Sequence, residues 1–310
     1  MVWTWLPPNN AISRRQEYAA DALAARTIGV SPMVSGLRAI HGNGALFGQY
    51  WAQEVGPVVA RGYRTPIANG FTQFLSATHI APLVSAVIER EMATPSVDPY
   101  DTHPPLRDRI DALTASGLPT NDVPAENAIR AIELLDDVDE LEGRLLTYLY
   151  KRGREQPLTT IAWPQVGAEV WGAIWRDDVK RSGGRLDGVT VAQIPGLAID
   201  LDAAAVQLGF APHREAADHA ARERVVMTLG TALAVLLLNH GWAVTALPGE
   251  IAVFAKDSAA LTPFADIARL NEKSLDPASF TATWKALGLL DVDLGTLRGN
   301  TSATQYLSPG

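Results

Sequence analysis

Apolar residues recur at three- and four-residue spacing through most of the first half of the chain, the period of a helix face and not of a strand. A first helix is predicted from Asn10 or Ser13 to about Thr27, with Ser13-x-x-Gln16 read as a capping box and Gly29 as the stop. A second spans Ser31 to Ile40, and His41-Gly42-Asn43-Gly44 reads as a break before an aromatic helix through Phe47, Tyr50, Trp51 and Val55. Ile67 to Leu75 and Ala81 to Met92 give two more helical segments. Thr94 to Pro105, with four prolines, reads as a loop. Leu106, Ile110 and Leu113 then mark one helix face, followed by helices over Glu126 to Leu135 and Glu140 to Lys151.

The polar stretch Lys151 to Thr160 is the expected boundary, dividing a helical region 1–152 from a smaller α/β module 153–310. Beyond it, Trp163, Val166, Val170, Trp171, Ile174 and Trp175 fall on an amphipathic helix that ends at Gly183-Gly184. Val189 to Leu208 is expected to hold a short extended piece and a helix near Asp202 to Leu208. A long helix from about Pro212 to Asn239 starts polar and becomes apolar. Ala243 to Leu247 and Ile251 to Ala255 flank Pro248-Gly249, which predicts a β-hairpin. Asp276-Pro277 opens a further helix that Gly288 closes, and the tail after Gly299 reads as disordered. The fold class is therefore mainly α, with one small α/β part.

Composition narrows the function classes. The 310 residues are 47% hydrophobic, with net charge −8, and mean hydropathy is +0.03, as for a globular protein with a sizeable core. Acidity without a basic, aromatic-interleaved patch excludes nucleic acid as an expected partner. With no cysteine, any metal must be held by His, Asp or Glu. Val225 to Leu238, the longest apolar stretch, falls short of the roughly 20 residues of a membrane span and reads as a buried core helix. The apolar Met1 to Leu6 stub, with two tryptophans, suits a membrane interface or a core edge.

Two segments carry residues suited to chemistry. Glu17 and Asp21 lie four apart in Arg14-Arg15-Gln16-Glu17-Tyr18-Ala19-Ala20-Asp21, so they share a helix face with small alanines that admit a close neighbour. A carboxylate there suits a zinc ligand, and a second carboxylate suits the orientation of a ligating imidazole. The same spacing beside two arginines also describes a solvated, ion-paired helix. In Asp101-Thr102-His103-Pro104-Pro105-Leu106-Arg107-Asp108-Arg109-Ile110, proline holds His103 out of the α region. His103 can then project into a cleft as a ligand, an acid-base group or a donor, or Thr102 or His103 simply caps the helix that the prolines begin.

Together the two segments resemble the HtpX-type and CAAX-prenyl-type zinc metallopeptidases, integral membrane gluzincins, over about residues 11–115. In that family an H-E-x-x-H helix gives two zinc ligands and the general base, an E-x-x-A-D helix gives the third ligand and a supporting aspartate, and a T-H-P-P-x-x-x-R-I-x-x-L segment closes the fold with its histidine near the metal cleft. The resemblance implies Glu17 as zinc ligand, Asp21 as the residue orienting a ligand, His103 as a cleft histidine, and Arg109 as a structural or carboxylate-pairing group. No H-E-x-x-H occurs in the chain, which departs from the family pattern.

The expectation is therefore a soluble carboxy-terminal region of a membrane-bound zinc metalloendopeptidase, with the side of the membrane left open. Its partners would be the upstream membrane region of the same protein and a protein or peptide substrate. Zinc would belong to the intact parent, with none bound and no complete catalysis in this chain alone. The alternative is a non-catalytic interaction or scaffold protein on a peptidase-like frame. The remaining histidines read as structural, and the second half shows no catalytic motif; substrate docking, homo-oligomerisation and stabilisation stay open for it.

Overall fold

In the computed structural model the described residues are 6–93, 103–120, 131–150 and 157–299, and they form two compact units, Met1–Thr159 and Thr160–Gly310. Both are mainly helical, and the strands are short. Residues 94–102 of the loop expected over Thr94 to Pro105, most of the expected helix from Glu126, residues 1–5 of the amino-terminal stub and the tail beyond 299 lie outside the described residues.

The first unit opens with the helix Leu6–Ile28, longer at its start than the capping-box reading allowed. Ser13 sits inside this helix, so its spacing to Gln16 marks no terminus. Gly29, at φ 97°, turns the chain sharply into the helix Val30–Tyr50. That helix is continuous through His41 to Gly44, where a break was expected. The reason is tertiary. A Cβ on Gly42 would stand 2.9 Å from both Ile88 and Val84, so glycine here lets the helix Ala81–Ala93 approach closely. His41 is accordingly inside a helix, with its Nδ1 2.6 Å from Glu91.

After a π-helical turn Trp51–Val55, the helix Ile67–Ser76 packs its aromatics on the same framework. Phe47 meets Phe71 edge-on at 5.1 Å, and buried Tyr50 donates its hydroxyl to the Ile67 carbonyl at 2.9 Å. Burial pushes the Tyr50 phenol well above its ordinary range, so it remains a donor. Glu142, on the helix Val138–Tyr150, accepts the N–H groups of Ile67 and Ala68 at 2.7 Å each. A carboxylate distant in sequence thereby caps a helix whose own N-cap is proline.

A small core of Ala25, Val30, Leu37, Leu106, Ile110 and Leu113 joins the first two helices to Leu106–Ala115. The Leu106, Ile110, Leu113 face is the one read from the sequence. The chain leaving this helix is fastened where the Val30 N–H donates to the Pro119 carbonyl at 3.0 Å.

The second unit is organised on the helix His219–Asn239, whose residues from Leu229 to Leu237 are all buried. An all-round apolar helix of this kind is a core element. It starts later than predicted, because the Asp218 carboxylate caps it by accepting from the Ala221 N–H at 2.7 Å. The tryptophan segment is helical as expected, with a π turn over Gly167–Trp171, and Trp163 and Trp175 are buried. The predicted hairpin is present as Ala243–Thr245 paired with Val253–Lys256, with Gly249 at φ 73° between them. A third strand, Ala259–Leu261, extends it. Its turn uses Asp257 at φ 53°, a weaker sequence signal than glycine.

No single described helix is long and apolar enough to cross a membrane. The bent pair Ile67–Ser76 and Ala81–Ala93, at 82°, reaches that length and composition together.

Two glycines of one helix should respond to substitution with opposite signs. Gly42→Val is expected to destabilise by about 1–3 kcal/mol through overpacking against Ile88 and Val84. Gly44, with no neighbour within 4 Å, should gain up to about 1 kcal/mol as Gly44→Ala. Urea unfolding of the two variants, read for midpoint at constant slope, checks the pair.

Candidate functional site

The face of the first helix that carries Glu17, Asp21 and Ala25 runs from half-exposed to buried. Ala25 belongs to the core, and Asp21 one turn earlier is 3% exposed. A carboxylate so placed requires a countercharge, because desolvation of a lone ion costs far more than helix packing returns. Arg109 supplies it. Its Nε and Nη2 donate to the two Asp21 oxygens at 2.7 and 2.6 Å, a bidentate fork across 88 positions of sequence.

The fork works because Arg109 precedes Ile110 on a helix whose apolar face is already committed to Ala25 and Val30. The side-chain hydrogen bond to Asp21 holds the Arg109 guanidinium above its ordinary pKa, against the opposing effect of burial. Arg109 also reaches Glu17, with Nη2 3.3 Å from Oε2. The other Glu17 oxygen lies 3.2 Å from His103 Nδ1. Beside them, burial and then Asp108 push the Tyr18 phenol up, keeping it protonated.

All four residues singled out in the sequence thus come together. His103 lies two positions before Pro105, which is the N-cap of Leu106–Ala115 and has no side-chain cap bond. His103 lies 3.2 Å from Glu17, while Thr102 lies outside the described residues. Asp21 was expected to orient an imidazole, yet its recorded partners are nitrogens of Arg109. Arg109, expected as a structural or carboxylate-pairing group, lies against both Asp21 and Glu17. What sequence spacing missed was the direct Glu17–His103 contact, since nothing local specifies the path of the chain between them.

The donor set is short of a zinc site. Glu17 and His103 offer one carboxylate and one imidazole, while the guanidinium of Arg109 stands against Glu17 and occupies Asp21. Among the described residues no group of three or more His, Asp or Glu side chains is placed to hold a metal ion. A zinc site takes at least three protein ligands, so these residues do not complete one. What they do is fix one carboxylate and one imidazole, both partly open to solvent, on a rigid frame.

Residues 4–116 match peptidase family M48, whose members are generally zinc-dependent and membrane-associated. The matched segment contains all four residues of the cluster. This similarity supports a metallopeptidase family for that segment. No curated protein and no solved structure matches the chain.

The buried fork should dominate local stability. Arg109→Ala is expected to cost about 3–5 kcal/mol, since it strands Asp21 without a partner. Arg109→Lys should recover only a minor part, because a point charge cannot reproduce two parallel N–H bonds. Urea denaturation of both variants, with Asp21→Ala to close a double-mutant cycle, measures the coupling. A loss below about 1 kcal/mol in Arg109→Ala would mark the pair as an ordinary screened surface contact.

Proposed function

We propose that the first unit is the third-ligand frame of an HtpX-type or CAAX-prenyl-type membrane zinc metalloendopeptidase. Glu17 is the carboxylate offered to zinc, and the two imidazole ligands and the general base come from an H-E-x-x-H helix outside these 310 residues. The observation that carries this reading is the convergence of Glu17, Asp21, His103 and Arg109 from the two segments that resemble the family. In that assembly Asp21 and Arg109 lock the rotation of the Glu17 helix, and His103 sits beside Glu17 at the mouth of the cleft. The substrate is a protein or peptide, and the principal partner is the membrane region of the same protein.

By itself the chain is catalytically incomplete in this reading, because its two donors leave a zinc ion short of ligands and no general base accompanies them. A second reading draws on the same shortage. A non-catalytic interaction protein that retains the fork as a structural lock would need only the geometry of Asp21 and Arg109.

One experiment separates the two. The isolated chain is expected to bind zinc weakly and to leave casein intact. Joined to its membrane region carrying H-E-x-x-H, as encoded upstream, it should hydrolyse casein in a chelator-sensitive way, and Glu17→Gln should lower that activity by about 100-fold or more through loss of a metal ligand. Chelator-sensitive hydrolysis by the isolated chain would overturn the incomplete-site reading. Absence of any upstream H-E-x-x-H would favour the interaction protein.

A further inference from the structure

The second unit holds a cavity of about 430 Å³ that the peptidase reading does not use. Part of its lining is one face of the His219–Asn239 helix, where Arg224, Met227, Thr228 and Thr231 follow at helical spacing. The end of the Gly172–Arg181 helix and the turn after it add Asp178, Arg181, Ser182 and Arg185, and Phe210 adds its ring. Three arginines in one concavity go against the composition of a chain with net charge −8.

Their pairing is uneven. Arg181 is held by Asp178. Arg185 donates to the Ser182 carbonyl at 2.9 Å, and Arg224 has only a ring beside it; neither meets a carboxylate among the described residues. Both guanidinium carbons instead stand by Phe210, at 5.2 and 5.6 Å from its centroid. Two like charges on one ring repel each other, and an anion between them would relieve that repulsion.

The hydroxyls point the same way. Thr231 is 4% exposed and lines the cavity, yet its hydroxyl makes no hydrogen bond among the described residues. Elsewhere in this protein helical threonines satisfy themselves on the carbonyl four residues back, as Thr72, Thr147 and Thr281 do. Thr228, one turn before Thr231 and next to Met227, makes no such bond either. Asp178, the carboxylate of this lining, is taken by Arg181, so the guanidiniums of Arg185 and Arg224 and the two threonine hydroxyls are donors without a carboxylate partner among the described residues.

We propose that this cavity binds a small organic anion with an aromatic or apolar body, a phosphate monoester or a carboxylate. Arg185 and Arg224 take the charged group, Thr228 and Thr231 donate to its oxygens, and Phe210 with Met227 covers the apolar part. Guanidiniums suit such oxyanions because they offer paired donors in a plane. The volume lies in the range of small-ligand sites. This inference is independent of the zinc reading.

Isothermal titration of the full chain with phenyl phosphate, inorganic phosphate and benzyl alcohol tests it. Phenyl phosphate is expected to bind at least about tenfold more tightly than inorganic phosphate, through its buried ring, while the neutral alcohol gives no heat. Arg224→Ala and Arg185→Ala should each weaken phenyl phosphate by about tenfold or more, and Thr228→Val by severalfold. Lys285→Ala, on an exposed position of the Pro277–Ala286 helix, should change nothing. Because Arg185 and Arg224 are exposed, these variants are expected to unfold at the parent's midpoint, which circular dichroism verifies. Undiminished binding in Arg224→Ala, equal affinity for the two phosphates, or no binding at millimolar concentration would each overturn the proposal.

Discussion

The fork between Asp21 and Arg109 is the constraint on which the first unit's site depends. A carboxylate one turn from a core alanine is out of reach of water, and only a paired, bidentate countercharge makes that position tolerable. Because Glu17, Asp21 and Ala25 share a face, satisfying Asp21 fixes how the whole helix is rotated. Glu17 is then aimed along the same direction, between Arg109 and His103. The ion pair is thus a positioning device: it holds the more exposed Glu17 carboxylate beside Arg109 and His103.

The frame around it repeats the same physics with other groups. Helix ends and close crossings are completed by residues distant in sequence. Glu142 caps Ile67–Ser76, the Pro119 carbonyl accepts from Val30, and the absent side chain of Gly42 admits Ile88 and Val84. Rigid support of this kind is what a metal-ligating or recognition site requires. The second unit uses a different solution, a helix buried from Leu229 to Leu237, along which Arg224, Thr228 and Thr231 line a cavity.

Legibility in the sequence followed the range of the interaction responsible. The face Leu106, Ile110, Leu113 and the Asp276 cap before Pro277 were readable because periodicity and capping are local. The reading failed where a distant group intervened. Gly42 to Gly44 looked like a break and is helical because a neighbouring helix packs there, and Ser13 looked like a cap but lies within a helix. The third strand was missed because Asp257 at positive φ is a weak turn signal, and its pairing with Val253–Lys256 is decided by the sheet.

The four site residues divide along the same line. Sequence alone determined that Glu17 and Asp21 lie on one helix face, that proline keeps His103 outside a helix, and that the residues fit a metallopeptidase pattern lacking H-E-x-x-H. Tertiary structure decided that Arg109 forks onto Asp21 while also reaching Glu17, that His103 meets Glu17, and that no group of three metal-binding side chains converges among the described residues. It also decided that Arg185, Arg224 and Phe210 share a wall. Spacing within a helix fixes direction, but burial and charge pairing between helices depend on how the chain returns, and no local pattern encodes that.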